Sequence, residues 1–103
     1  MKLALLQEKH NELYAFLKEN ITYTKEQIHE YLLQMEEQNL FLMKSAGQMG
    51  ADLALTSEAI NFPGQPWWTD MNIADIVKDT QERLKSNCSA IACQMHMYIA
   101  VGM

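Results

Sequence analysis

Apolar side chains recur along this chain at alternating spacings of three and four, the period that places them on one face of an α-helix. The first such run has His10 among leucines, so an imidazole would lie within an otherwise apolar stripe. It predicts a first helix ending near Asn20, with the inward positions Leu3, Leu6, His10, Leu13 and Leu17.

A second run follows Thr24, whose hydroxyl can cap a helix while Gln27 reaches back to it. The four-three alternation then continues without a phase break through Ile28, Leu32, Met35, Asn39, Leu42, Ala46, Met49, Leu53, Thr56 and Ile60. Gly47 and Gly50 each cost roughly 1 kcal/mol in a helix interior. Because the stripe stays in phase across them, we expect one helix of roughly 38 residues, about 57 Å long. A break near Gly47–Gly50 that yields two shorter helices is the alternative.

The two prolines of the chain flank Gly64-Gln65 and precede Trp67 and Trp68, which marks an interhelix turn. Thr69, Asp70 or Asn72 can cap a third helix beyond it. Its inward stripe is Ile73, Val77, Thr80, Leu84, Cys88, Ile91, Met95 and Tyr98. Its second half is apolar on every side, and one neighbouring helix cannot bury all of those side chains.

These runs predict an all-α fold, an antiparallel helical bundle built on a long helical hairpin and forming one domain over residues 1–103. It has three long helices, or four if the second breaks. No residue from Ser86 to Met103 is charged, so we expect a second copy to cover this end in a homodimer. The predicted partner-binding residues are Ile91, Met95, Met97, Tyr98, Ile99, Val101, Trp67 and Trp68. For the two tryptophans, the alternative is that they cap the open end of the bundle.

Composition and charge narrow the possible partners. Just over half of the residues are strong helix formers, and the formal net charge is −5 with no concentration of Lys or Arg, which disfavours nucleic acid. The charge-free end is too short and too polar to span a membrane. The apolar segment at the start of the chain is too short for a signal peptide. The two cysteines are five residues apart and poorly placed to form a disulfide with each other, so we expect free thiols. Both features favour a cytoplasmic protein.

Two short motifs support an alternative, a metal-binding four-helix bundle. Cys93 and His96 have Cys-x-x-His spacing near Cys88 and several methionines, which are ligands that suit Cu or Zn. Glu26 and His29 have the Glu-x-x-His spacing of di-metal bundles. Each motif occurs once, and Cys and Met are ordinary core residues, so the sequence favours no cofactor.

The chain has no recognisable nucleophile motif and no glycine-rich phosphate loop after a strand. Whether it is an enzyme stays open, but these absences favour a non-enzymatic role. We therefore expect a small regulatory, adaptor or assembly factor that acts through protein–protein contacts. In the second stripe, Asn39 is either a buried amide that fixes helix register or an exposed residue at a splayed position. Glu36 is expected on the solvated outer face.

Overall fold

The computed structural model describes residues 1–7, 25–56 and 74–102, and it has mixed α/β structure. Strand β1 (Leu3–Leu5) comes first, followed by helix α1 (Lys25–Gln48) and strand β2 (Leu53–Leu55). Helix α2 (Ala74–Met95) and strand β3 (Tyr98–Ala100) complete the order. Most of the predicted first helix and the turn around Trp67 and Trp68 lie outside the described residues.

The predicted all-α helical bundle is wrong, because three short apolar segments form a parallel sheet of order β1-β2-β3. Leu3 is in register with Leu53, and Leu53 in turn is in register with Tyr98. Each strand has three residues, too few for a period of two to show against the helical stripes. Leu3 and Leu53 fitted those stripes by spacing alone, although both belong to strands.

The predicted continuous second helix is also wrong, because α1 ends at Gln48 in a Schellman motif. The amide of Ala51 donates to the carbonyl of Ala46 at 3.0 Å, and the amide of Gly50 donates to the carbonyl of Gly47 at 3.0 Å. Gly50 has φ +83°, a left-handed conformation that glycine adopts without steric cost. The alternative break was therefore correctly placed, but a strand follows it rather than another helix.

Helix α2 ends in the same motif, so the predicted helical tail through Tyr98 is wrong as well. The amide of Met97 donates to the carbonyl of Ala92 at 3.0 Å, and the amide of His96 donates to the carbonyl of Cys93 at 3.4 Å. His96 occupies the left-handed position with φ 52°. The chain then turns into β3, which places Tyr98 on a strand.

The inward stripes of the two helices are confirmed where they pack against each other. On α1 the buried stripe residues include Ile28, Leu32 and Met35, and on α2 they include Leu84 and Ile91. Buried side chains of both helices and of the sheet join in one cluster, which holds Met43, Ala46, Ala54, Leu84, Cys88, Ile91 and Met97. Both helices therefore cover the same face of the sheet.

Glu36 is buried on α1, contrary to the expected outer-face position, and it lies 3.1 Å from the guanidinium of Arg83 on α2. Its carboxylate also accepts a hydrogen bond from the amide of Asn87 at 3.4 Å. A buried carboxylate needs such partners to offset the cost of leaving water.

In the described part of the chain, neither helix is apolar over enough of its length to cross a membrane.

Candidate functional site

Within the part of the chain that the structure describes, helices cover one face of the sheet and leave the other face open. Ala54 is fully buried, and Ala4 and Ile99 pack against the same cluster beneath the helices. Because successive side chains of a strand point to opposite faces, the remaining strand residues lie on the other face. We call this surface the open sheet face; it consists of Leu3, Leu5, Leu53, Leu55, Tyr98 and Ala100.

The open sheet face is apolar and exposed. The exposed fractions are 53% for Leu3, 72% for Leu5, 40% for Leu55 and 76% for Tyr98. Parallel sheets are almost always covered on both faces. Scattered single apolar residues on a surface are ordinary, but a contiguous group of them indicates an interaction site. Leu3 and Tyr98 lie in one row across the strands, so this group is contiguous.

Charged groups lie beside the open sheet face but are already paired. Lys2 precedes β1, and its ammonium donates to the carbonyl of Met49 at 2.7 Å, at the end of α1 where the helix dipole favours a cation. The backbone amide of Lys2 donates to the carboxylate of Asp52 at 2.6 Å. The open sheet face itself has six uncharged side chains in a protein of net charge −5.

The predicted partner-binding residues divide into three groups. Ile91 and Met97 are buried within the chain's own core, and Met95, Ile99 and Val101 pack partly buried against it. Tyr98 alone of the described members is exposed, and it belongs to the open sheet face. Trp67 and Trp68 lie outside the described residues. A partner role for these residues stays a prediction, and among the described ones Tyr98 is the residue whose exposure supports it.

Sequence reasoning missed Leu3, Leu5 and Leu55 as surface residues. One signal could have found them, since the triplet Leu-Ala-Leu occurs at residues 3–5 and again at residues 53–55. Each copy precedes a long helical segment, which is the order of strand and helix in parallel sheets. The repeat therefore indicated paired strands with leucines on one face and alanine on the other.

The residues proposed for metal binding do not form a ligand cluster. Cys88 is buried, Cys93 is exposed, and His96 lies beyond the end of α2. His29 faces Asp79 across the helices at 3.9 Å, while Glu26 is exposed. Among the described residues, no group of three or more His, Cys, Asp or Glu side chains could hold a metal ion.

Cys88 has a distinct environment in the core. Its thiol donates to the sulfur of Met43 at 3.5 Å. Burial, with a smaller contribution from the nearby Glu36 charge, raises the pKa of the Cys88 thiol from 9.0 to about 11. The thiol is therefore protonated and unreactive at neutral pH.

Asn39 is fully buried, so the structure excludes the alternative of an exposed residue at a splayed position. Its amide nitrogen donates to the carbonyl of Met35 at 2.9 Å, whereas its side-chain oxygen has no hydrogen-bond partner. An unsatisfied buried acceptor costs stability. That its role is to fix helix register stays a prediction.

The carboxyl ends of the three parallel strands meet at one edge, beyond which open α/β sheets often bind ligands. Thr56 lies there at the end of β2, and its hydroxyl accepts a hydrogen bond from the amide of Gly102 at 2.9 Å. The amide of Thr56 donates to the carbonyl of Ala100 at 3.0 Å. In residues 1–7, 25–56 and 74–102, this edge holds backbone pairing rather than converging reactive side chains.

The chain matches no protein-family model, and neither the curated proteins nor the solved structures compared with it include a match. The open sheet face is therefore interpreted from its own geometry.

Proposed function

We propose that the protein acts through protein–protein contacts and forms a homodimer in which the open sheet faces of two copies pack together. The observation that supports this is a parallel sheet with helices on one face and exposed Leu5 and Tyr98 on the other. A second sheet packed on this face would give it the cover that the described helices give the opposite face. The protein is then a small structural or regulatory assembly unit.

The absence of charge on the open sheet face favours a second copy of the chain as its binding partner. Two copies that each have a net charge of −5 repel one another over most orientations. The open sheet face is neutral, so packing it against itself brings no like charges together. A two-fold axis needs a surface that complements itself, and a face of leucines, a tyrosine and an alanine meets that requirement.

The size of the open sheet face sets the expected affinity. Its exposed side chains present roughly a few hundred Å², below the roughly 800 Å² per partner of a standard stable interface. Association through this face alone is therefore expected to be weak and to depend on concentration. Dimers should form at micromolar or higher concentrations and dissociate on dilution.

The proposal is tested by placing one charge in the open sheet face. Leu5→Glu puts a carboxylate at an exposed position there, so a charge must be desolvated for two faces to pack. We expect this variant to be folded by circular dichroism and to have about half of the wild-type mass by light scattering at concentrations where the wild type associates. Tyr98→Glu, on the opposite edge strand of the same face, should behave alike.

Phe41→Glu is the matched control, because Phe41 is a large apolar residue of α1 that is 68% exposed. It adds the same charge outside the open sheet face and should leave the mass unchanged. Equal masses for the wild type, Leu5→Glu and Phe41→Glu would contradict the proposal. A mass that shifts only when another protein is added would identify a different occupant and would also contradict it.

A cytoplasmic location belongs to the same proposal. It is supported by Cys88 and Cys93, both free thiols, which a reducing compartment preserves.

A further inference from the structure

Among the described strands, β3 lies at an edge of the sheet and lacks the usual protection against pairing. The strand order leaves β1 and β3 at the two edges of the sheet. Natural edge strands are commonly guarded by lysine, proline or a bulge. Lys2 stands next to β1, whereas the stretch from Met97 to Gly102 contains neither charge nor proline.

The backbone pairing of β3 shows which groups face outward. The amide of Tyr98 donates to the carbonyl of Asp52 at 2.9 Å, and the carbonyl of Ala100 accepts from Thr56 at 3.0 Å. Backbone groups of successive strand residues point to opposite sides, so the amide and carbonyl of Ile99 point away from β2. Its side chain packs against the core, which holds these two groups in place.

We infer that β3 pairs antiparallel with β3 of a second copy, about a two-fold axis through Ile99. The amide of each Ile99 then donates to the carbonyl of the other, and both groups are satisfied at once. On the open sheet face, Tyr98 of one copy lies opposite Ala100 of the other, a large side chain against a small one. The result is one six-stranded sheet.

This edge pairing also enlarges the apolar surface that is available for face-to-face packing. An edge-joined pair presents that face twice, side by side, which raises the apolar area toward the roughly 800 Å² per partner of a standard interface. Two such pairs packed face to face make a tetramer of two-fold symmetry, a common form of homo-oligomer. The tetramer rests on the proposed face-to-face packing, whereas the edge pairing does not require it.

Amide hydrogen exchange of the wild-type protein, followed by nuclear magnetic resonance, tests the edge pairing directly. We expect the Ile99 amide to be protected and its protection to fall at least tenfold on dilution. Leu3 and Leu5 are internal controls, because the carbonyl of Lys2 and the amide of Leu6 pair with β2 and leave the Leu3 and Leu5 amides pointing outward. Those amides should exchange fast.

An Ile99 amide that exchanges as fast as those of Leu3 and Leu5 would overturn the inference. Protection that does not change on dilution would overturn it too, since it would mean that the same chain covers the edge. In Leu5→Glu, where face packing is blocked, we expect a dimer with a protected Ile99 amide. A monomeric Leu5→Glu with an unprotected Ile99 amide, beside a dimeric wild type, would leave the proposed function standing and refute the edge pairing.

Ile99→Pro provides a second test, because proline removes the outward amide and is tolerated on edge strands. With the helical circular dichroism signal retained, the assembly should fall to half its mass. A folded Ile99→Pro variant with the wild-type mass would contradict the inference. If this variant fails to fold, the exchange rates of the wild type decide the question.

Discussion

His96 and Gly50 end the two helices in the same left-handed conformation, yet only one of them is glycine. A left-handed conformation costs most non-glycine residues roughly 1–2 kcal/mol, and histidine is among those that tolerate it better. The motif Cys93-x-x-His96, read from sequence as a ligand pair, therefore includes a helix terminus. The pattern of residue types could not reveal this, because the conformation depends on where α2 stops.

His96→Gly should stabilise the protein by up to about 1 kcal/mol, since glycine adopts this φ without steric cost. Chemical denaturation is the measurement. Gln94→Gly, two residues earlier within α2, is the matched control and should lose about 1 kcal/mol. Loss of stability in both variants would show that the imidazole does more than occupy the turn.

The two thiols should differ in reactivity. With a pKa of about 11, Cys88 has only about one thiolate per thousand molecules at pH 8, and it is buried, whereas Cys93 is exposed. We expect one thiol to react rapidly with a chromogenic disulfide and the second only after unfolding. In Cys93→Ser the rapid phase should vanish; a rapid phase that persists there would contradict the assignment.

The raised pKa of Cys88 also predicts how the stability of the protein changes with pH. The pKa of Cys88 is about 11 in the folded protein and 9.0 when the thiol is free. The folded state therefore holds this proton more tightly, and the stability present below pH 9 is lost as the pH rises toward 11. Cys88→Ala should flatten the pH dependence of the denaturation midpoint in that range, and an unchanged slope would contradict the cause given.

Helices α1 and α2 approach closely where both end. A Cβ atom built on Gly47 would lie 2.6 Å from Cγ and 2.8 Å from Cβ of Met95. A glycine at this position therefore leaves room for the Met95 side chain.

Gly47→Ala should destabilise the protein by about 1–3 kcal/mol, because the overlap with Met95 outweighs the roughly 1 kcal/mol that alanine gains in a helix. Urea denaturation is the measurement. The double variant Gly47→Ala, Met95→Ala should lose less than the two single losses added together, since removal of the methionine gives the new methyl group room. Simple addition of the losses would disprove the contact.

The sequence predicted the buried faces of α1 and α2, but it did not predict where these helices end or that strands follow them. Over α1 and the middle of α2 the stripe is long, and buried Ile28, Leu32 and Leu84 lie where the period places them. Three-residue strands carry no such repeat. Glu36 shows a second limit, because its partner Arg83 is distant in sequence and no local pattern pairs them.

For the molecule as a whole, the charge-free run from Ser86 to Met103 was interpreted as apolar helix in need of a partner. The structure divides it between the end of α2, a turn and β3, and it encloses Ile91 and Met97 in the chain's own core. In the described part of this run, Tyr98 is the large apolar side chain that stays exposed, and it belongs to the open sheet face. That surface exists only when residues about fifty positions apart pair in register, which composition and local spacing cannot predict.

The most direct test is the mass of the unmodified protein across a dilution series at neutral pH and moderate salt. Packing of open sheet faces predicts a mass that rises with concentration from 11.9 kDa toward twice that value or more. A mass that stays at 11.9 kDa up to the solubility limit would contradict it, because the exposed leucines and Tyr98 would then lie in water without a second copy to cover them.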